Sequence, residues 1–516
     1  MPPATSQADA VAARTASPLF VDHAVIRPSA MATSRYWAAV VVILLVGLAF
    51  RAWNLGGADF WTDEVLTSLR ANVPLDEAID SILGAGNQAP IYYMMMQVLP
   101  HSSDVLLRLP AMILGVVNIA LLMFMITRLY GDRLLALEVG ALLAVNPLHV
   151  ILSRTARFYT LLFVFSMLFT YLFILLLRGQ RTRRVWIAFW LCSMFAYMTH
   201  YSSLALPAAQ GLLLVVLWRR TREMWIPWGI AQAAAVAPAL LWMLVATGEY
   251  EPVGYVGMAH PPVISDLPIT LLNLLEGFDG SWSWWVVPGV VLGTIGIAAG
   301  VVALVRTWRP QPDRLYWITS SVVPVLALFI MGITVYSKYK DRYMLLLGPS
   351  VMLLFVVGWR WIAPRWSRAA VAVVVLTGAL LSVQLFTSGS YQRTDWSDAG
   401  RFMDEHFAPG DRVLFARTTT LDAFEHSYKG SEDVLDGAFL LTETPDTEAV
   451  ERSAPRIWVI YRDQWEDFHR QGWVRDFDPL RRGLSDMSNW LVDRQDRIVG
   501  QTSFDGIVIY EMAPLD

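Results

Sequence analysis

Cysteine and lysine are almost absent from this chain. The single cysteine, Cys192, lies inside an apolar run, which excludes a disulfide and a cysteine-based metal site. Of the 40 basic residues, only three are lysine. Charge of either sign is scarce: 16% of residues are Asp, Glu, Lys or Arg, against roughly 25% in soluble domains. No glycine-rich phosphate loop is present, which argues against a nucleotide-linked substrate. Internal repeats and low-complexity tracts are lacking, and no histidine spacing of the HxxxH type offers a metal site. What the 516 residues do have is apolar surface. At 55% hydrophobic and a mean hydropathy of +0.44, they read as a polytopic α-helical membrane protein.

Apolar runs near spanning length occur at about 36–55, 105–127, 134–152, 158–177, 185–200, 202–218, 225–246, 284–306, 315–336, 342–359 and 367–386. They predict about eleven transmembrane helices, since a crossing takes about 20 residues. The first 34 residues are Ala/Ser/Pro-rich and aperiodic, and read as a disordered cytoplasmic tail, too long and polar to begin a signal peptide. Orientation follows the basic loops. Arg14, Arg27, Arg35, Arg128, Arg133, Arg178, Arg181, Arg183, Arg184, Arg219, Arg220, Arg222, Arg306, Arg309, Arg314, Arg360, Arg365 and Arg368 fall on one side, assigned as cytoplasmic. Residues 35–390 then form the transmembrane domain, with a structured first outer loop at 56–104. Residues 391–516 hold 14 basic and 25 acidic residues, net −11, and lie outside. Strand-like runs at Arg412–Ala416, Arg456–Tyr461 and Gly506–Met512, and an amphipathic helix at Trp396–Phe407, make this a small α/β domain. Its acidity excludes a nucleic-acid role.

Eight basic residues before position 390 lie on the outer side: Arg51, Arg70, Arg108, Arg154, Arg157, Lys338, Lys340 and Arg342. Snorkelling at helix ends accounts for Arg51 and Arg108. It does not account for three cations within Lys338-Tyr339-Lys340-Asp341-Arg342. An anionic ligand at the outer membrane surface, such as a lipid phosphate, would. Glu138, near the inner end of the third run, reads as snorkelling inward.

The first outer loop carries Trp61-Thr62-Asp63-Glu64 ahead of a helix-like stretch that sets Asp63, Thr67 and Arg70 on one face. Acids also favour a helix N-terminus through its dipole. A second helix starts near Pro74. A third runs from Pro90 to about Leu99, too short to span, with Tyr92 and Tyr93 at headgroup level. Further polar residues predicted to face outward are Gln88, His149, Arg157, Tyr159, His200 and Tyr201. A carboxylate held beside polar partners at this surface can take a proton from a hydroxyl, as sugar transfer from a lipid carrier requires.

Taken in order, Arg51…Leu55-Gly56…Trp61-Thr62-Asp63-Glu64, Gln88-Ala89-Pro90-Ile91-Tyr92-Tyr93, Leu107-Arg108-Leu109-Pro110, Asn146-Pro147…Ala156-Arg157-Phe158-Tyr159, Thr199-His200-Tyr201 and Asp341-Arg342-Tyr343 resemble the bacterial family 39 glycosyltransferases. These are relatives of protein O-mannosyltransferases and of the lipid A aminoarabinose transferase, with the GT-C membrane fold. The resemblance covers about residues 36–390. It implies that the Asp63-Glu64 pair is catalytic, with Asp63 the general base, and that outer cations bind the carrier phosphate. The family usually reads His-Pro-Pro-Leu-Tyr-Tyr where this chain has Gln88-Ala89-Pro90-Ile91-Tyr92-Tyr93.

The sequence therefore predicts an inverting glycosyltransferase in the bacterial inner membrane. It would move a sugar from a polyprenyl-phosphate carrier to an extracytoplasmic glycan, lipid or protein. Arg157, Lys338, Lys340 and Arg342 are the predicted phosphate ligands. Gln88, Tyr92, Tyr93, His149, Tyr159, His200 and Tyr201 are the predicted sugar or acceptor contacts. No cofactor is assigned. A ligase or polymerase acting on lipid-diphosphate glycans is the enzymatic alternative. A lipid transporter is the other, but mid-helix charges and internal pseudo-symmetry are not seen.

Overall fold

The computed structural model describes residues 26, 31–86, 88–246, 262–278, 283–307, 313–334, 339–387, 394–441, 443–444, 446–462 and 486–515. All eleven apolar runs fall on helices, but not on eleven equal ones. Among the described residues, eight helices are long and apolar enough to cross a membrane: Thr33–Ala52, Asp104–Tyr130, Tyr159–Leu177, Trp218–Ala246, Val287–Thr307, Arg314–Thr334, Asp341–Ile362 and Ser367–Thr387. The helices Arg133–Val145 and Arg183–Thr199 and the segment Tyr201–Val216 are shorter. The third run is broken because Asn146 caps a new helix, Pro147–Leu152. Its side chain accepts from the His149 N–H, and Pro147 occupies the first turn, where its missing N–H costs nothing.

The Val287–Thr307 and Gly348–Ile362 helices meet through glycine. A Cβ on Gly300 would stand 2.0 Å from the Leu354 carbonyl, and one on Gly358 would stand 1.9 Å from the Gly296 carbonyl. Such backbone-to-backbone contact is how helices associate where lipid supplies no hydrophobic drive.

At one end of the bundle, buried ion pairs link helix ends. Arg360 reaches Asp132 and Glu138, each at 2.7 Å, and Arg178 reaches Asp313 at 2.7 Å. Glu138 therefore does not snorkel; it is buried against Arg360.

The first loop folds as three helices, Thr62–Asn72, Leu75–Gly84 and Ile91–Val98. Val73 is held extended before Pro74, which stops the first. Asp63 and Glu64 do sit in the first turn of that helix, where its dipole favours them.

The C-terminal domain has a five-stranded sheet ordered β2-β1-β3-β5-β4. Its strands are β1 (Arg412–Phe415), β2 (Ala438–Leu440), β3 (Ile457–Arg462), β4 (Ile498–Phe504) and β5 (Ile507–Met512). β1 runs parallel to β2 and β3, while β5 runs antiparallel to β3 and β4. The three predicted strands are β1, β3 and β5. β2 is apolar but only three residues long, and β4 is a half-exposed edge with Gly500, Gln501, Thr502 and Ser503, so neither shows an apolar run of strand length. The domain rests on the first loop. Asp59 accepts from the backbone N–H and the hydroxyl of Ser397, both at 2.7 Å. His426, on the Thr418–Ser427 helix, stacks on Phe60 and meets Asp104 at 3.1 Å.

Candidate active site

Three of the outer arginines are used up in building the frame. Arg108 is not a surface anchor. It is 1% exposed, and Nε and Nη2 donate to the two oxygens of Glu64, each at 2.9 Å. Its remaining N–H groups reach the carbonyls of Leu55, Ala58 and Asp59. Arg154 donates to the carbonyls of Phe50, Arg51, Trp53 and Asn54. Those are the orphan acceptors at the end of the first spanning helix. Arg51 does not snorkel either; it is fully buried and reaches the carbonyls of Gly47, Leu143 and Ala144. Sequence spacing cannot separate such carbonyl-binding arginines from ligand-binding ones.

Glu64 belongs to this frame. Besides the Arg108 fork it accepts from the Ala156 N–H at 2.7 Å, and it is 2% exposed. Three hydrogen bonds hold its two oxygens. In this position it joins the first loop to the turn that carries Arg157.

Asp63 differs from its neighbour. Its side chain is 32% exposed, and Arg157 Nη2 stands 3.8 Å from Oδ2. Among the described residues, neither carboxylate oxygen accepts a hydrogen bond. The Asp63 backbone carbonyl, by contrast, accepts from Arg157 Nη1 and from the Thr67 hydroxyl, both at 3.1 Å. Burial pushes the Asp63 carboxyl up, but Arg157, Arg342, Lys340 and Arg462 together outweigh it and hold it below the usual carboxylate range. The carboxylate is thus ionised, partly open and set within the field of four cations.

Several predicted contacts gather here. Arg157 Nη1 donates to the Tyr93 hydroxyl at 2.7 Å, and Tyr93 donates to Gln88 Oε1. Gln88 Oε1 also accepts from Arg70 at 2.5 Å, so Gln88 braces the arginine–tyrosine pair from behind. Arg342 is buried over the Trp61 ring, 5.1 Å from its centroid. Asp341 accepts from Thr270 and Asn273, which fixes the turn leading into Arg342. His200 stacks between Phe158 and Tyr343, with centroids 4.3 and 4.9 Å away, and so lies between the residues that follow Arg157 and Arg342. Tyr159 is buried close to Arg342 and Asp63.

Other predicted contacts fall elsewhere. His149 is fully buried, 2.6 Å from an Arg51 nitrogen and edge-on to Phe163, and serves the helix frame. Tyr201 packs with Ala196, Tyr197 and Ala239 on another flank. Tyr92 is buried inside the loop rather than placed at headgroup level. Lys338 lies outside the described residues. Arg462, at the end of β3, was not predicted: an isolated arginine closing a strand of an acidic domain carries no motif.

No protein-family model matches the sequence, and no curated protein matches it. Solved structures do. ArnT from Cupriavidus metallidurans in the apo state superposes with a TM-score of 0.53 at 13% identity, over 93% of this chain and 97% of that one. The same protein bound to undecaprenyl phosphate gives 0.51 over the same shares. The apo oligosaccharyltransferase of Archaeoglobus fulgidus gives 0.48 at 11% identity, over 94% of this chain and 75% of that one. The chain therefore has the fold of ArnT, that of the GT-C glycosyltransferases.

Proposed function

We propose that the chain is an inverting glycosyltransferase that takes a sugar from a polyprenyl-phosphate carrier and attaches it to a glycan, lipid or protein. One observation carries this reading: a partly open carboxylate without a hydrogen-bond partner among the described residues, set in the field of Arg157, Arg342, Lys340 and Arg462. By the positive-inside rule, the loop charges support a site on the outer face of a bacterial cytoplasmic membrane. ArnT, which shares the fold, has been captured with undecaprenyl phosphate, a ligand of the kind proposed.

The chemistry is a single displacement. The acceptor hydroxyl attacks the anomeric carbon, and Asp63 takes its proton. The bond from that carbon to the phosphate oxygen breaks, and its electron pair stays on the carrier phosphate. The donor phosphodiester carries one negative charge and the leaving monoester two. Arg157, Arg342 and Lys340 stabilise that added charge as it develops. The two guanidiniums grip the phosphate through paired donors, whereas Lys340 acts as a point charge. Attack opposite the leaving group inverts the anomeric centre and needs one base, not two carboxylates.

The test is turnover in detergent with an undecaprenyl-phosphate-linked sugar and a short-chain alcohol acceptor. Arg157→Ala and Arg342→Ala are expected to raise the donor KM, lower kcat, or both. If both bind free undecaprenyl phosphate as tightly as wild type, these residues are not the phosphate site.

A further inference from the structure

β1 and β3 run parallel, with Phe415 level with Ile460, so their carboxyl ends point the same way. In open α/β sheets that end is where ligands are bound. Here the carboxyl end of β1 feeds the Thr418–Ser427 helix, which packs against the Thr62–Asn72 helix bearing Asp63. Arg462 is the last residue of β3 at this end. It is partly buried, and its Nε is shut off from solvent without a hydrogen-bond partner among the described residues. Residues 391–516 are strongly acidic, with 25 Asp and Glu against 14 basic residues, and burying a cationic donor is costly. Even so, this cation is spent where its charge reaches Asp63.

We infer that Arg462 is a fourth cation of the Asp63 site, and that the C-terminal domain completes the pocket for the anionic phosphate end of the lipid-linked donor. The inference rests on the glycosyl-transfer reading above. Arg157, Lys340 and Arg342 approach the phosphate from the membrane domain, and Arg462 closes over it from the aqueous side. The docking contacts of Asp59 with Ser397 and of Asp104 with His426 then have a function, because they fix the position of Arg462.

The experiment measures binding of undecaprenyl phosphate to the full-length protein in nanodiscs, for wild type, Arg462→Gln, Arg462→Lys and Arg342→Ala. Gln keeps polar bulk without charge; Lys keeps the charge. Arg462→Gln is expected to bind about tenfold or more weakly, the low end for one charge-assisted contact, with Arg462→Lys recovering part of the loss. The acid limb of kcat/KM should also move to higher pH in Arg462→Gln and not in Arg462→Lys, a shift that a merely structural role would not produce. If Arg462→Gln binds like wild type while Arg342→Ala is weak, Arg462 is outside the site and the inference fails alone. If both bind like wild type, the phosphate assignment itself falls.

Discussion

Asp63 and Glu64 are adjacent, carry the same charge and begin the same helix, yet they do different work. Glu64 is locked to Arg108 and the Ala156 N–H; the Asp63 carboxylate accepts no hydrogen bond among the described residues and faces Arg157 at 3.8 Å. Arg108→Ala is therefore expected to destabilise the protein by about 3–5 kcal/mol, because it leaves a buried carboxylate unpaired. A thermal melt in detergent reads this, and an unchanged midpoint would return Arg108 to the role of surface anchor. The cations around Asp63 make a pH prediction. With the site free, the carboxyl lies below its usual range and stays ionised. When the donor phosphate occupies the cations, their field is offset and Asp63 becomes more basic. Transfer is lost as pH falls through the Asp63 pKa. The acid limb of kcat, which reports the donor complex, should therefore lie at higher pH than that of kcat/KM, which reports the free enzyme. Coincident limbs would mean that the cations and the phosphate do not meet at Asp63.

Much was legible at the scale of elements where the signal is local. Apolar runs gave the helices of the bundle, Pro74 and Pro90 punctuated the first loop, and β1, β3 and β5 announced themselves by apolar strand patterns. What was not legible depends on partners distant in sequence. Nothing near Arg51, Arg108 or Arg154 says that their donors end on carbonyls and on Glu64. His149 has the sequence setting of an outward loop residue, and only the packing of Arg51 and Phe163 shows it to be core. The break at Asn146-Pro147 was present in the residues, but an apolar run continues through it. The glycine seam makes its own prediction. Gly358→Ala sets a methyl group against the Gly296 carbonyl and is expected to cost about 1–3 kcal/mol by overpacking. A wild-type melting temperature would show that the two helices are not in backbone contact.

At the scale of the whole molecule, the positive loops, the first-loop site and the acidic C-terminal domain must agree on one orientation. The Arg360 and Arg178 ion pairs belong to the loops assigned as cytoplasmic, and the domain docks on the first loop. A cysteine at the exposed Glu432, in a Cys192→Ser background, should react with an impermeant maleimide in intact spheroplasts. Labelling only after lysis would invert the orientation and put the site on the wrong face for a carrier-linked donor.

The central claim is that Asp63 receives the acceptor proton, and sugar transfer by Asp63→Asn tests it most directly. The substitution keeps the size of the side chain and removes its negative charge and its basicity. Release of sugar from an undecaprenyl-phosphate-linked donor should fall ~10²–10⁴-fold, the usual cost of losing a general base, while undecaprenyl phosphate binding is retained. Turnover close to wild type in a folded, donor-binding Asp63→Asn protein would contradict the account.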